Sequence, residues 1–371
     1  MSAGPPERGP DRPDADRPDK PGHDDERGGE RRAALATVGA VVAIVLVVVG
    51  ANLLTRGGDG TTPAAQEPSS APSRTNAAEL AGMTPQEIAE AALLDRGEVA
   101  SAAPQAVPSG ADKLRNKVQE LVTEQPYSFT MTTFNILGSQ HSAPGGAAAE
   151  FAPGRVRTEW AARLVASYGS SIVGLQEIQS DQLSAMARAT DGRFAFWPGT
   201  ALGGKGVPQS LMWDTAVWSA TYQDSITVPF MGGTRPQPVV RLQHVATGRE
   251  VYVLNIHNSP KDRQGREDER DKAEQIEVAA VNTLKKDGIP VFIMGDFNEH
   301  EDAFCRFTGE AGMRAANGGS NDGACRPPRP MRVDWIFGTP EVQFSGFRMD
   351  TGPAVRRITD HAVITTQVTV P

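Results

Sequence analysis

Residues 291–300 read VFIMGDFNEH, an apolar run that ends in carboxylate and amide side chains. The run at 291–295 is short, apolar and bounded by polar residues, which predicts a strand buried on both faces. Asp296 and Asn298 then stand where this strand meets a loop. A carboxylate in that position is costly to bury unless it is paired or binds a ligand. The stretch therefore predicts a buried strand with a functional site at its end.

The same arrangement recurs in five other segments of residues 126–371. In each one a carboxylate, amide or imidazole lies at the end of an apolar run: Asn135 in TMTTFNIL, Glu177 in SIVGLQE, His257 in VYVLNIH, Asp334 in VDWIF, and Asp360 and His361 before AVITTQVTV. Any one of these residues is explained by a cap or a turn. Eight such residues in six segments, however, predict strand ends that meet at one shared site.

Strand and helix patterns mix irregularly between these segments. Short apolar or alternating runs predict strands at 128–136, 171–176, 193–197, 210–213, 239–244, 251–257, 291–295, 333–338 and 362–370. Helical periodicity predicts helices at 155–168, 180–189 and 267–286. Because no regular strand–helix–strand repeat occurs, the pattern predicts an α/β fold of layered sheets covered by helices, and not a barrel.

The residue types at the strand ends favour hard-metal chemistry. Glu177 and Asp360, with Asn135 or Asp296, offer oxygen ligands that suit Mg²⁺, Mn²⁺ or Ca²⁺. The two cysteines and the scattered histidines lack the spacing of a zinc site. The absence of G-x-x-x-x-G-K-[ST] and G-x-S-x-G motifs argues against an NTPase and against an α/β-hydrolase. A divalent metal without a covalent nucleophile favours phosphoester hydrolysis by activated water.

Six motifs in order, TTFNIL, GLQEI, NIHNSP, GDFNEH, RVDWIF and TDHAVI, resemble the endonuclease/exonuclease/phosphatase superfamily. That superfamily includes deoxyribonuclease I, exonuclease III and neutral sphingomyelinases. The resemblance covers residues 126–371 and implies a four-layered α/β sandwich, in which two β-sheets pack face to face with helices outside.

The resemblance also implies a metal-binding edge. Glu177 of the QE motif would be the main metal ligand. Asn135 of the FN motif would contribute to the same edge or contact phosphate, and Asp360 would bind the metal directly or through water. Mg²⁺ is the expected ion, with Mn²⁺ and Ca²⁺ as alternatives.

Five further residues acquire catalytic roles from the resemblance. Asp296 would orient or deprotonate the attacking water, and Asn298 would hold a phosphate oxygen. His361, oriented by Asp334, would stabilise the phosphoryl oxygen or act in acid–base transfer. His257 matches the second histidine of the deoxyribonuclease I and sphingomyelinase branches, which favours general acid catalysis at the leaving oxygen.

The N-terminal third has a different organisation. Residues 1–32 are rich in Pro, Gly and charge and predict a disordered cytoplasmic tail. Residues 33–54 contain only two polar side chains, and as a helix of about 33 Å they would span a membrane. Arginines before this run place the N-terminus inside and the rest outside. Signal-peptide cleavage near 49–51, or twin-arginine export through Arg31 and Arg32, are the alternatives.

Residues 55–125 predict a linker with short helices that begin at Thr84 and at Asp112. The catalytic domain at 126–371 is then expected outside the cell, as part of a single-pass membrane protein. In that oxidising compartment Cys305 and Cys325 would form a disulfide worth about 3 kcal/mol.

The function expected from these observations is an extracytoplasmic, monomeric, deoxyribonuclease I-like nuclease that acts on nucleic acid. The net charge of −8, with neither half strongly basic, argues against a protein that only coats nucleic acids. Ile178, Gln179 and Ser180 follow the QE motif, where deoxyribonuclease I has an arginine that reaches DNA. A sphingomyelinase-like or phosphosugar phosphodiesterase or phosphatase, and a degenerate surface binding module without catalysis, stay open as alternatives.

Overall fold

The computed structural model describes residues 83–93, 125–261 and 265–371. The helices are α1 (Pro85–Leu93), α2 (Gly154–Tyr168), α3 (Ser180–Ala189), α4 (Glu267–Leu284), α5 (Glu301–Gly309) and α6 (Pro353–Arg356). The strands are β1 (Tyr127–Asn135), β2 (Ile172–Gln176), β3 (Phe194–Trp197), β4 (Leu211–Asp214), β5 (Trp218–Phe230), β6 (Gly233–His244), β7 (Glu250–His257), β8 (Val291–Asp296), β9 (Arg314–Ala315), β10 (Asp334–Gly338), β11 (Gln343–Asp350) and β12 (Val363–Val370).

Within these residues no helix is long and apolar enough to span a membrane. The tail predicted at 1–32, the membrane span predicted at 33–54 and the helix predicted at 112–123 lie outside the described residues.

The strands form two six-stranded mixed sheets. The first has the order β11-β12-β1-β2-β4-β3 and the second the order β5-β6-β7-β8-β10-β9. Each sheet contains one parallel pair at its centre, β1 with β2 and β7 with β8, flanked by antiparallel neighbours. Because parallel strands end at the same edge, each sheet brings two carboxyl ends together.

Three apolar clusters hold the layers together and confirm the predicted four-layered sandwich. Side chains from the facing surfaces of both sheets, such as Phe129, Val253 and Met294, form the central cluster. A second cluster packs α2 and α3 on the first sheet. A third packs α1, α4 and α5 on the second sheet. The order is therefore helices, sheet, sheet, helices.

Helix α1 packs on the globular domain although the sequence places it in a linker. Thr84 and Glu87 form the predicted capping box, in which Thr84 N–H donates to Glu87 Oε2 at 2.7 Å and Glu87 N–H donates to Thr84 Oγ1 at 3.3 Å. Ile88 and Leu93 are buried in the cluster that contains α4. The core thus extends into the segment predicted at 55–125.

The sequence patterns missed β5, β9, β11, the short helix α6 and α5, and they predicted only the second half of β6. Pro236 and Pro238 interrupt the strand pattern in the first half of β6. Both prolines are tolerated there because residues 233–238 pair with β5 alone. Most side chains of β11 are partly or fully exposed, so its apolar alternation is weak. The disulfide between Cys305 and Cys325 is present as predicted, with a Cα–Cα distance of 5.6 Å.

Candidate active site

The site lies where the two parallel strand pairs end. Asn135 is in register with Gln176 across β1 and β2, and His257 with Asp296 across β7 and β8. Asp334 opens the antiparallel strand β10 directly opposite Asp296. The register therefore brings these strand ends to one edge of the sandwich.

Strand periodicity explains why these polar side chains converge. Alternate residues of a strand share one face. Met294 of β8 and Ile336 of β10 belong to the cluster between the sheets, so Asp296 and Asp334, two positions away, continue the same inner faces. The site is the polar end of the apolar space between the sheets.

A polar layer built on the buried amides of Gln176 and Asn255 lies next to this site. Gln176 Nε2 donates to Asn255 Oδ1 at 2.6 Å, and Asn255 Nδ2 donates to the carbonyl oxygen of Leu175 at 2.9 Å. Gly174 faces this layer, where a Cβ would lie 2.5 Å from Asn255 Oδ1. A side chain at Gly174 would therefore displace Asn255, which spans the two sheets.

Asp296 is at the centre of the site. Its Oδ2 accepts a hydrogen bond from Asn135 Nδ2 at 3.1 Å and lies 3.6 Å from His257 Nε2 and 3.7 Å from His361 Nε2. Its Oδ1 accepts from the Asn298 N–H at 2.9 Å. Burial raises the pKa of Asp296, although the His361 cation opposes the shift. This carboxylate is thus poised to take a proton near neutral pH.

His361 and Asp334 form a dyad as predicted. His361 Nδ1 lies 3.1 Å from both carboxylate oxygens of Asp334, so Nδ1–H donates to Asp334 and Nε2 faces Asp296. Burial alone would lower the pKa of His361, but the adjacent Asp334, Asp296 and Asp360 carboxylates outweigh it and raise the pKa to about 10. His361 is therefore a cation that can stabilise charge on a phosphoryl oxygen.

The Nδ1 atom of His257 faces a cation, whereas that of His361 faces a carboxylate. His257 Nδ1 lies 3.3 Å from Nη1 of Arg235, not beside a carboxylate. Burial, reinforced by the Arg235 cation, lowers the pKa of His257 to about 3. This imidazole is neutral, whereas a general acid must carry a proton that it can release.

Glu177 follows β2 in a left-handed backbone conformation, with φ of 62°. Its carboxylate accepts hydrogen bonds from Asn135 Nδ2 and the Gly138 N–H, both at 3.1 Å, and lies 3.3 Å from His141 Nε2. Burial opposes ionisation of Glu177, but its hydrogen bonds with His141, Asn135 and Gly138 outweigh burial and hold its pKa well below the usual range. The sequence patterns did not select His141, because it lies in a loop and not at the end of an apolar run.

The carboxylate oxygens of Glu177 and Asp360 are ligand atoms that suit a hard divalent cation. The side chain of Glu177 is 20% exposed, and Asp360 is exposed. Both carboxylates act electrostatically on His141. Asn135 turns its amide nitrogen toward Glu177, while its oxygen accepts the Leu137 N–H at 3.1 Å. In this conformation Asn135 is a hydrogen-bond donor between the Glu177 and Asp296 carboxylates, which leaves Glu177 and Asp360 as the candidate oxygen ligands among the three residues predicted to bind a metal.

Asn298 joins two loops of the site. Its side-chain Nδ2 donates to the carbonyl oxygen of Asn258 at 2.9 Å, and its φ is 54°. Within the described residues, Asp296, Asp334 and His361 also place one ligand atom each within 4.8 Å of one another. The eight residues predicted from the sequence therefore all lie at or beside one edge of the sandwich.

Arg157 is a buried residue that holds the loops around the site in place, and the sequence patterns did not predict this role. Its guanidinium donates to the carbonyl oxygens of Ile136, Leu137 and Ile358 at 2.7–2.8 Å and to that of Ala152 at 2.8 Å. One side chain thus fixes the loops that follow Asn135 and precede Asp360. Its helical position gives no sign of this role, because the partners are distant in sequence.

A cleft of about 660 Å³ opens beside His361 and Asp360. Phe151, Arg332, Thr351 and Arg356 line its outer part. Neither arginine has an acidic partner at ion-pair distance within residues 83–93, 125–261 and 265–371. The cleft therefore offers positive charge next to His361 and Asp360.

Two carboxyl groups, those of Glu274 and Glu277, lie on the buried face of α4. Glu277 contacts the loop that follows His257. Asn258 Nδ2 donates to Glu277 Oε2 at 3.2 Å, whereas Oε1 of both Glu274 and Glu277 has no hydrogen-bond partner in the described structure. Burial raises the pKa of Glu277 to about 8, and burial together with Glu277 raises that of Glu274 to about 9.

We expect Glu277→Gln to stabilise the protein in a pH-dependent way. The folded state binds more protons than the unfolded state between about pH 4.5 and 8, so wild-type stability falls as pH rises through that window. The variant removes this loss. Its free energy of unfolding should exceed that of wild type by at least about 1.4 kcal/mol at pH 8.5, and by little at pH 4.5. Denaturant titrations check this, with the exposed Glu159→Gln as control.

Comparisons with known proteins give a consistent result. The model of the Endonuclease/Exonuclease/phosphatase family matches residues 132–361. A family protein from Bacteroides thetaiotaomicron has a TM-score of 0.54 at 17% identity, over 67% of this chain and 96% of that chain. One from Bacteroides vulgatus has a TM-score of 0.52 at 17% identity, over 66% and 100%. The human Nocturnin catalytic domain has a TM-score of 0.50 at 15% identity, over 66% and 96%. No match is found among curated proteins.

Proposed function

Because the chain belongs to the endonuclease/exonuclease/phosphatase family, a family of metal-dependent phosphoester hydrolases, we propose that it hydrolyses phosphodiester bonds of nucleic acid with water as the nucleophile. The observation that supports hydrolysis is the contrast between two neighbouring groups of the site, Asp296 and His361. Asp296 has a raised pKa and His361 is held as a cation a few ångströms away. One group accepts a proton while the other stabilises negative charge.

The reaction follows from this arrangement. Asp296 takes a proton from water as the water oxygen bonds to phosphorus. The Nε2–H of His361 stabilises the growing negative charge on a phosphoryl oxygen. The P–O ester bond then breaks with its electron pair on the leaving oxygen, which takes a proton from solvent. A divalent cation, which we propose to be Mg²⁺, would be held by Glu177 and Asp360 and would supply further positive charge beside the phosphate.

The cleft beside His361 supports a substrate that extends beyond the scissile phosphate. Arg332 and Arg356 provide two cations that suit a neighbouring phosphate group. Phe151 in the same cleft offers an aromatic surface for a base. A nucleic acid strand provides both features, whereas a small monoester provides neither.

The test is a substrate panel for the purified full-length chain with Mg²⁺, Mn²⁺ or EDTA. It contains single-stranded DNA, duplex DNA, RNA, sphingomyelin, sugar phosphates and bis(p-nitrophenyl) phosphate. We expect turnover of nucleic acid that requires the metal. Hydrolysis of sphingomyelin or sugar phosphates without cleavage of nucleic acid would replace the proposed substrate, and binding without turnover would favour a non-catalytic module.

We also predict how replacing the two arginines of the cleft changes KM for different substrates. The double variant Arg332→Gln/Arg356→Gln should raise KM for oligonucleotides by about tenfold or more, because each charge-assisted contact contributes about 1.5–3 kcal/mol where it is well formed. It should leave KM for bis(p-nitrophenyl) phosphate nearly unchanged, since that ester does not extend along the cleft. Arg163→Gln, an exposed arginine of α2 outside the cleft, is the matched control. Equal effects on both substrates would contradict the proposed subsite.

We also propose that the domain faces an oxidising compartment outside the cytoplasm and that residues 33–54 anchor it to the cell membrane. The disulfide Cys305–Cys325 supports this location, because stable disulfides are rare in the cytosol. Protease added to intact expressing cells should digest the domain and spare the N-terminal tail. Non-reducing peptide mapping should recover the linked pair. Two free thiols, or a domain protected in intact cells, would contradict the location.

A further inference from the structure

His257 has an unusual partner for an active-site histidine. Arg235, in β6, places Nη1 3.3 Å from His257 Nδ1. Its guanidinium lies over the Phe230 ring, 3.3 Å from the centroid. Phe230 in turn meets the His257 ring edge to face, with the two centroids 5.5 Å apart. The side chains of Arg235, Phe230 and His257 thus pack together next to the turn of the β5–β6 hairpin.

The chemistry of this contact fixes the position of one proton. A guanidinium carries N–H donors and no acceptor. A hydrogen bond from Arg235 to Nδ1 therefore requires the lone pair of Nδ1, so the single ring proton of His257 is on Nε2. His361 has the reverse arrangement, because its Nδ1 faces the Asp334 carboxylate and must donate. The two imidazoles of the site are held in different forms by partners of opposite charge.

The orientation of His257 is also fixed on its other side. Gln237 Oε1 accepts the His257 N–H at 2.9 Å, and Gln237 Nε2 donates to the His257 carbonyl oxygen at 3.2 Å. The Nε2 of His257 then faces Asp296 Oδ2 at 3.6 Å, too far for a good hydrogen bond. The Nε2–H of His257 is therefore on the Asp296 side of the ring, beside the carboxylate proposed to activate water.

The hairpin that carries Arg235 is fastened to the rest of the domain. Met231 N–H donates to Ser259 Oγ at 3.0 Å, and Gly232 N–H donates to Glu269 Oε1 at 2.8 Å. Ser259 also donates to the Glu269 carboxylate. Because Ser259 follows His257 by two residues, the same contacts hold both members of the Arg235–His257 pair.

We propose that Arg235 is a positioning residue that fixes His257 as the neutral Nε2–H tautomer, so that His257 donates a hydrogen bond to a phosphoryl oxygen and does not protonate the leaving group. The inference rests on the proposed phosphodiesterase function for its consequence, but the tautomer itself does not depend on the substrate. It is an alternative to the expectation from sequence that His257 is the general acid, and the experiments below distinguish the two.

The tautomer is measured directly by NMR. Long-range ¹H–¹⁵N correlation spectra of the full-length chain, labelled with ¹⁵N-histidine, distinguish a protonated from an unprotonated ring nitrogen. The His257 signals are assigned by their loss in His257→Gln. We expect Nε2 protonated and Nδ1 unprotonated in the wild type. An Nδ1–H tautomer or an imidazolium near neutral pH would overturn the inference without any use of variants at Arg235.

Substitutions at Arg235 then test the cause. Arg235→Lys retains a cationic donor and should retain the Nε2–H tautomer and most of the activity. Arg235→Glu places an acceptor at Nδ1 and should shift the proton to Nδ1, with activity reduced by about 10²-fold, the usual cost of losing one transition-state donor. Arg241→Met, on the same strand but paired with Glu250 away from the site, should change neither readout. An unchanged tautomer in folded Arg235→Glu would show that Arg235 does not set it.

Kinetics distinguish a hydrogen-bond donor from a general acid. His257→Gln should slow hydrolysis by a similar factor, about 10²-fold, on esters with a poor alkoxide and with a good aryloxide leaving group. A loss confined to the poor leaving group would restore the general acid and overturn the proposal. If the chain hydrolyses no phosphodiester, the proposed function fails, whereas the NMR result still decides the tautomer.

Discussion

Asp296→Asn is expected to reduce kcat for phosphodiester hydrolysis by about 10²–10⁴-fold, the usual contribution of a general base. The amide has the same shape and can still accept the Asn298 N–H that bonds to Asp296 Oδ1, but it cannot take a proton from water. Because the wild-type carboxyl group is buried with a raised pKa, its neutral replacement should not lower the melting temperature. The measurement is kcat together with a thermal melt.

The exposed Asp191→Asn is the matched control for Asp296→Asn. Asp191 follows α3 in a left-handed conformation that Asn also adopts, with φ of 50°. It should leave both kcat and the melting temperature unchanged. If Asp296→Asn retained more than about a tenth of wild-type kcat while folded, Asp296 would not be the base.

Glu177→Gln should have an effect of comparable size for a different reason. The carboxylate is held ionised at the edge of the site, and as the proposed cation ligand it would contribute several kcal/mol of transition-state stabilisation. A loss of about 10³-fold in kcat/KM is expected at fixed Mg²⁺, since each 1.4 kcal/mol is a factor of ten. Calorimetric titration with Mn²⁺ should show weakened binding.

The Glu177→Gln variant should fold, because its side-chain oxygen can still accept from one of the two donors, the Asn135 amide or the Gly138 N–H, that bond to Oε1 and Oε2 of Glu177 in the wild type. Glu150→Gln, in the loop before α2, is the control for removal of one negative charge. Metal binding and activity that both equal the wild type would place the cation elsewhere among the described carboxylates, for example at Asp296 and Asp334.

The candidate site is visible in the sequence because its members interrupt apolar strands. Asp296 ends VFIMGD and His257 ends VYVLNIH, and a polar group at the end of a buried run is visible without any structure. The pairing of β1 with β2 and of β7 with β8 then brings these ends to one edge. The same logic identified Asp334 and His361, which lie at the starts of antiparallel neighbours.

The residues that sequence reasoning missed act across space from elements with no such interruption. Arg157 is one of several arginines on α2, and only the fold shows that its guanidinium reaches the carbonyl oxygens of Ile136 and Ile358. Arg235 lies in a proline-containing half-strand that was not predicted at all. The contact with Arg235 is the reason for proposing a different role for His257, because the state of an imidazole depends on the group at its other nitrogen.

Cleavage in isotopically labelled water shows whether water attacks phosphorus and whether the reaction needs a metal ion. The purified full-length chain is incubated with an oligonucleotide in H₂¹⁸O, with Mg²⁺ or with EDTA, and the products are analysed by mass spectrometry. We expect shorter oligonucleotides whose new terminal phosphate carries one ¹⁸O atom, formed with Mg²⁺ and not with EDTA. Undiminished cleavage in EDTA, or cleavage without incorporation of ¹⁸O, would contradict metal-dependent hydrolysis by water.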